Sequence, residues 1–320
     1  MTEPDDRKPA NRVELSVVAP MFNEMENLDY FFERVRGVLK KTGLSYEIVC
    51  VNDGSRDATL SGLIKHRDAD PAIKIVDLSR NFGKDIALTA GLDFARGDAV
   101  IPIDSDLQDP PELIEELIKK WREGFDVVYA TRRTRQGESS FKRATASLFY
   151  QLFDQLSVVK MPRNTGDFRL MDRRAVDALK RMPERNRFMK GLFAWVGYRQ
   201  TAVMYDREKR HAGTTKWNYW RLWNFALDGI TGFSSIPLRI WTYIGMIVSV
   251  LAFLYALFLI GLKIVHGNDV PGYSSLMVAV LFLGGIQLIT LGVLGEYMAR
   301  IFDEVKGRPL YLVRETHGVS

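Results

Sequence analysis

Two stretches near the carboxyl end of this chain restrict its fold more than anything before them. Ile240 to Leu262 runs for 23 positions without a charged side chain, and Val270 to Gly295 runs for 26. Each exceeds the roughly 20 residues that a helix needs to cross a bilayer. The connecting loop, His266 to Tyr273, has no Lys or Arg. Arg210, Lys216, Arg221 and Arg239 precede the first stretch, and Arg300, Lys306 and Arg308 follow the second. The positive-inside rule therefore expects a multi-pass protein with both termini in the cytoplasm. Lys263 lies close enough to the far end of the first stretch to snorkel. Glu296 lies near the cytoplasmic end of the second, where an interfacial position is cheap. Gly284, Gly285, Gly292 and Gly295 would permit close helix packing within one chain or between copies, so a homo-oligomer is compatible with the pattern.

The rest of the chain has a different character. At 320 residues there is room for one large core besides the apolar module. The net charge of +5 could suit nucleic acid, but the basic residues are not interleaved with aromatics in any nucleic-acid module. An anionic membrane surface or phosphate-bearing substrates explain the excess better. Cys50, the single cysteine, sits in an apolar run and reads as a core residue. Trp217 to Phe225 is dense in aromatics, and Trp220, Trp223, Leu227 and Ile230 keep helical spacing, as in an interfacial amphipathic helix. The expected division is a disordered tail at 1–12, a soluble domain at 13–216 and a juxtamembrane segment at 217–238. Two membrane helices follow within 239–301, at about 240–263 and 274–297, and a cytoplasmic tail occupies 302–320.

The soluble part alternates short apolar strands with amphipathic helices. Strands are expected at 13–19, 46–51, 73–78, 99–103, 126–130 and 198–205, with helices at 27–39, after Asp57, at 85–95, 111–121, 141–153 and 188–197. That alternation indicates an α/β domain with a mostly parallel, Rossmann-like sheet covered on both faces. Ligands of such sheets bind beyond the carboxyl ends of the strands. Polar clusters stand at those positions: Pro20 to Glu24, Asn52 to Ser55, Ser79 to Lys84, and Asp104 to Asp109. No G-x-G-x-x-G follows the first strand and no G-x-x-x-x-G-K-[ST] occurs, which argues against a dinucleotide-binding domain and a P-loop kinase.

The last cluster carries the sharpest chemistry. Asp104 and Asp106 lie one residue apart after a buried strand, and a turn there can aim both at one point. Two converging carboxylates suit a hard cation such as Mg²⁺ or Mn²⁺, although a solvated acidic loop has the same spelling. Asp53 could accept hydrogen bonds from a base or ribose, or simply form an Asx turn in Asp-Gly. Thr131 to Glu138 is basic and reads either as a surface loop or as a lid whose arginines grip phosphate. Asp167, between a glycine and an apolar run, could be semi-buried with a raised pKa, or could tie down a turn. Asp109 is explained as well by helix capping before Pro110-Pro111.

The runs S-V-V-A-P-M-F-N-E, V-N-D-G-S-R-D and I-D-S-D-L-Q-D-P-P resemble family 2 glycosyltransferases with a GT-A fold. N-F-G-K, N-T-G-D-F-R-L-M-D and T-K-W-N are similar to the polyprenyl-phosphate glucosyltransferase branch, related to dolichol-phosphate mannose synthase. The resemblance implies an enzyme of the cell (inner) membrane that moves a sugar from a UDP-sugar, most simply UDP-glucose, to polyprenyl (undecaprenyl) phosphate with inversion, with mannose, N-acetylglucosamine or an amino-arabinose derivative as the alternative sugar. It implies nucleotide-sugar binding by Pro20, Phe22, Asn23, Glu24, Asp53, Gly83, Lys84, Asp104 and Gln108. Mg²⁺ or Mn²⁺ would be held by Asp104 and Asp106, with Asp106 and Asp167 catalytic. Arg132, Arg133, Arg143, Arg207 and Lys216 would meet the acceptor phosphate or form the lid. Arg207 and Lys216 also fit a basic cluster attracted to anionic lipid. A processive polysaccharide synthase would carry Q-x-x-R-W, which is missing, and a non-catalytic carrier of lipid-linked sugar would not need the acidic cluster.

Overall fold

The computed structural model describes residues 12–133, 162, 165–182, 184–185, 187–206, 236–266 and 272–319. Arg143, Arg207 and Lys216 lie outside the described residues, as do the helix expected at 141–153, the interfacial helix and all but the last residue of the amino-terminal tail. The strands are β1 (Leu15–Met21), β2 (Tyr46–Asn52), β3 (Ile73–Leu78), β4 (Ala99–Pro102), β5 (Val127–Arg132), β6 (Thr165–Asp172), β7 (Gln200–Tyr205) and β8 (Val313–His317). The α-helices are α1 (Leu28–Thr42), α2 (Thr59–Ala69), α3 (Lys84–Phe94), α4 (Ile114–Arg122), α5 (Arg173–Lys180), α6 (Met189–Trp195), α7 (Ile236–His266) and α8 (Tyr273–Lys306).

Among the described residues the strands form one sheet in the order β7-β5-β6-β4-β1-β2-β3-β8. β1 pairs in parallel with β2 and β4, and β2 with β3. β6 runs antiparallel to both β4 and β5, while β5 and β7 are parallel. The geometry has one consequence that matters for chemistry. The carboxyl ends of β1 to β5 and β7 and the amino end of β6 all reach the same edge.

Alternation along the strands feeds two cores. Val17 and Ala19 face Leu28, Phe31, Phe32 and Val35 of α1 together with Ile114 and Leu117 of α4. Val18 and Val76 face Ala87, Leu88 and Ala90 of α3, with Val176 of α5 and Leu192 of α6 on the same side. α1 buries residues three and four apart and stops at Gly43, whose φ of 68° closes the helix in the left-handed region. Gly91 lets α3 approach the sheet, because a Cβ there would collide with Val18 Cγ1.

Several expectations need correction. The stretch around Asp167 is not a polar turn but strand β6. Its buried Phe168, Leu170 and Met171 pack against the two cores, and it runs antiparallel within a sheet that is mostly parallel, as expected. Residues 302–320 are not simply a tail. α8 continues to Lys306, and β8 pairs antiparallel with β3 at the sheet's edge. The helix expected at 188–197 is shorter, Met189–Trp195, and ends on a Trp195 that is 60% exposed. Asp57 lies one residue before the N-cap of α2, where it accepts the Thr59 amide at 3.0 Å. Cys50 is fully buried, as its setting required.

α7 and α8 contain Tyr243–Leu262 and Ser275–Lys306, long and apolar enough to cross a membrane. Both helices extend beyond the uncharged runs. Phe253, Phe258, Leu281 and Leu288 are exposed along them, which suits a hydrocarbon solvent. A Cβ on Gly284, Gly285, Gly292 or Gly295 would meet nothing within 4 Å among the described residues.

Candidate active site

The loops beyond the sheet's shared edge are tied together by short polar side chains. Asn23, at φ 54°, receives a hydrogen bond on Oδ1 from the Arg56 amide at 2.8 Å, and its own amide donates to Ser55 Oγ at 3.0 Å. The Glu24 amide donates to Thr59 Oγ1 at 2.9 Å, and the Glu24 carboxylate accepts from Asn27 Nδ2. Pro20 is the penultimate residue of β1, opposite Val51, and Phe22 is half-buried beside these staples.

Asp53 is 3% exposed, and its two carboxylate oxygens accept the backbone amides of Phe82 and Gly83 at 2.7 and 2.9 Å. It thus clamps the 79–84 loop, and the remaining lone pairs are what it can offer a ligand. Burial pushes its pKa up, and the two amides partly offset that. Gly54 permits the clamp. Its φ is +63°, and a Cβ would sit 2.5 Å from the Asn81 nitrogen.

Lys84, the first residue of α3, links two carboxylates from different strands. Its Nζ is 2.7 Å from Asp104 Oδ1 and 2.6 Å from Asp167 Oδ2. Burial weakens the ammonium, but Asp104 and Asp167 outweigh it and drive its pKa well above that of an ordinary lysine. Burial also acts to raise Asp167, yet Lys84, Lys190 and Arg169 hold its pKa well below the usual carboxylate range. The raised basicity expected of Asp167 is therefore corrected: the cations around it keep it ionised. Asp104 is shifted the other way, by burial first, with Lys84 opposing and Asp167 adding to the rise. Asp85 is pushed up to about 6 by burial and by Asp167.

Asp104 and Asp106 sit in the turn after β4, where the Leu107 amide reaches the Asp104 carbonyl and the Gln108 amide donates to Asp106 Oδ1 at 3.2 Å. Among the described residues no group of three or more His, Cys, Asp or Glu side chains could cage a metal alone. The donor set at Asp104 and Asp106 is nonetheless the hard-oxygen kind. These two carboxylates would suit Mg²⁺ or Mn²⁺, which prefer oxygen donors.

A second buried group stands beside the first. Asp109 is 4% exposed and accepts the Tyr205 hydroxyl. Arg132 Nε donates to the same hydroxyl at 3.1 Å, and its Nη2 is 3.7 Å from Asp109. A Cβ on Gly166 would lie 3.4 Å from Arg132 Nη2, so this group abuts the residue before Asp167. Helix capping does not explain Asp109, because the 3₁₀ turn at Pro111–Leu113 has no side-chain cap. Arg133 stands apart, 60% exposed and 3.8 Å from Asp206. Arg169 is a further residue that the motifs did not single out. It is buried, lies 3.9 Å over the Phe193 ring, and donates to the carbonyls of Gly166 and Asp167 at 2.8 and 3.3 Å. Burial pulls its pKa down to about 10. A charged residue inside the run Phe168 to Met171 was the available signal, since a buried charge must be paired.

Residues 16–180 match glycosyl transferase family 2, and residues 236–301 match the GtrB C-terminal hairpin. An uncharacterized glycosyltransferase of Synechocystis sp. is 62% identical over 96% of this chain and 97% of its own length. The SfII prophage-derived bactoprenol glucosyl transferase of Shigella flexneri is 50% identical over 95% of this chain and 99% of its own. Among solved structures, the mannosyltransferase PcManGT from Pyrobaculum calidifontis, in complex with GDP-Man and Mn²⁺, covers 93% of this chain and 87% of its own at 14% identity and a TM-score of 0.45. The strand-end site with its GT-A-like mixed sheet and the family match over half of the sequence meet in one conclusion: the chain belongs to glycosyl transferase family 2 and is a transferase enzyme.

Proposed function

We propose that the enzyme transfers glucose from UDP-glucose to a polyprenyl phosphate, undecaprenyl phosphate in a bacterium, at the cytoplasmic face of the membrane and with inversion. One observation carries the reading: Lys84 joins Asp104 and Asp167 at the shared edge of a sheet whose chain also bears two membrane-length helices. The name of the Shigella relative supplies the acceptor class and the sugar. A soluble donor and a bilayer-bound acceptor must meet at the interface, and a domain tethered by two helices is held there.

In this reading the 20–24, 52–55 and 79–84 loops hold the nucleotide. Asp104 and Asp106, with Gln108 close by, hold Mg²⁺ or Mn²⁺. Such an ion neutralises charge on the departing diphosphate. An oxygen of the acceptor phosphate forms a bond to the anomeric carbon as the bond to UDP breaks, and the electron pair leaves with the β-phosphate oxygen. A phosphate acceptor is already anionic at neutral pH and needs no strong base. Asp167, kept ionised by Lys84, is suited to accept a hydrogen bond from the sugar and orient it. Arg132, braced by Asp109 and Tyr205, is suited to meet the acceptor phosphate.

The test is direct. Detergent-solubilised protein is incubated with radiolabelled UDP-glucose, Mg²⁺ or Mn²⁺, and undecaprenyl phosphate. A lipid carrying one glucose supports the reading. Polymer, or transfer only from another nucleotide sugar, overturns it.

A further inference from the structure

The carboxyl-terminal strand has a place in the donor site that family membership does not assign. α8 ends at Lys306, with Gly307 (φ 64°) closing it, and Glu304 grips the soluble domain: its carboxylate accepts the Arg185 amide at 2.7 Å. The chain then follows the sheet. Tyr311 donates to Asp93 at 2.8 Å, the Ser79 amide donates to the Leu312 carbonyl at 2.9 Å, and β8 pairs with β3. Covering the free edge of β3 would need only the backbone of β8. Arg314 does something more specific.

Its Nη2 donates to the Ser79 carbonyl at 2.7 Å, at the root of the 79–84 loop. Its Nη1 lies 3.4 Å from Asp77 Oδ2. Asp77 is 1% exposed, and its other oxygen accepts Asn52 Nδ2 at 2.7 Å. Asn52 Oδ1 in turn accepts the Ser55 amide at 3.4 Å, and Ser55 Oγ accepts the Asn23 amide. One guanidinium thus braces three of the four strand-end loops through a buried carboxylate, which is costly to leave unpaired.

We infer that Arg314 is a positioning residue for the donor site, and that the carboxyl-terminal strand is a strap fastening the end of α8 to the 52–55 and 79–84 loops. The inference rests on the proposed role of those loops in holding the nucleotide. Without the guanidinium, Asp77 and Asn52 lose their fixed orientation, and the loops that Asp53 and Ser55 hold become looser. Among the described residues the bonds of Arg314, Asp77, Asn52 and Ser55 go to the loop backbones and to one another, while Lys84, at the far end of the 79–84 loop, is held separately by Asp104 and Asp167. Donor affinity should therefore change while the chemical step does not.

The experiment compares the full-length wild type, Arg314→Ala and Arg314→Lys in detergent. It measures the KM for UDP-glucose and for the lipid, kcat, and hydrogen exchange of peptides covering 52–58 and 79–86. Arg314→Ala is expected to raise the donor KM about fivefold, the scale of one charge-assisted hydrogen bond from a half-exposed group. The lipid KM and kcat should stay within about twofold of wild type. Exchange should quicken in both peptides, and Arg314→Lys should restore part of the loss. Unchanged donor KM and exchange, or a lower melting temperature with neither moving, overturns the inference. If wild type transfers nothing from UDP-glucose, the proposed activity fails, and exchange in the two peptides still decides whether Arg314 braces the loops.

Discussion

Lys84 Nζ stands between two carboxylates that arrive on strands of opposite direction, 2.7 Å from Asp104 after β4 and 2.6 Å from Asp167 on β6. One cation therefore fixes the spacing of the residues assigned to the diphosphate and to the sugar. Lys84→Ala should lower kcat about 100-fold, as expected for loss of a preorganised charge at a reacting centre. Steady-state kinetics check this. Lys84→Arg, too long for the gap, should recover little.

If Asp106 holds the proposed metal, Asp106→Ala should lower turnover at least about 100-fold, because that ion would lose a carboxylate. The turn around Asp106 is also held through the backbone, by the Leu107 amide on the Asp104 carbonyl, so the fold should persist. Mn²⁺ titration of activity and circular dichroism separate the two effects. A variant active with unchanged metal dependence would remove Asp106 from the metal role.

Tyr205→Phe takes the hydroxyl from between Asp109 and Arg132. A buried carboxylate left short of a donor costs about 1–3 kcal/mol. The melting temperature should fall by a few degrees, and the KM for the lipid should rise as Arg132 shifts. Asp109→Asn should reproduce both effects if the pairing is what matters.

Gly54→Ala and Gly43→Ala form a matched pair. Both positions have φ near +65°, but only Gly54 faces a neighbour, the backbone of Arg80 and Asn81. The left-handed conformation costs each alanine about 1–2 kcal/mol. Gly54→Ala should lose stability beyond that and should also raise the donor KM. Gly43→Ala should affect stability alone.

Asp85 gives a pH dependence. Its folded pKa is raised to about 6, above an unfolded value of about 3.9. An acid with a raised folded pKa destabilises the fold once it is ionised in both states, which is above pH 6. The penalty fades as pH falls from 6 towards 4. Asp85→Asn should therefore raise the melting temperature at pH 8 in chelator-treated buffer and leave it unchanged at pH 4.

The strand-end clusters were legible because β1 to β4 follow the simple alternation of buried strand and amphipathic helix. Their carboxyl ends then had to share an edge. The two long apolar helices were legible because each uncharged run exceeds the length that a bilayer-spanning helix needs. β6 was not, because Thr165 to Asp172 mixes charge with apolar residues on both faces, and Arg169 breaks the pattern while being buried. The pKa of Asp167 could not be read either. Local sequence shows the burial but not Lys84, which arrives from α3. Asp109 was hidden by a good local explanation, the double proline, while its partner Tyr205 lies far along the chain. β8 is short and follows an exposed helix end, so only its pairing with β3 reveals it.

β5 and β6 run in opposite directions, so the chain leaves the sheet at Arg132 and returns at Thr165 on the same side of the molecule. The ladder that joins the two strands, from Val127 opposite Met171 to Thr131 opposite Thr165, lies within the sheet itself. An evolving lineage can lengthen, shorten or replace that connection without renegotiating the fold.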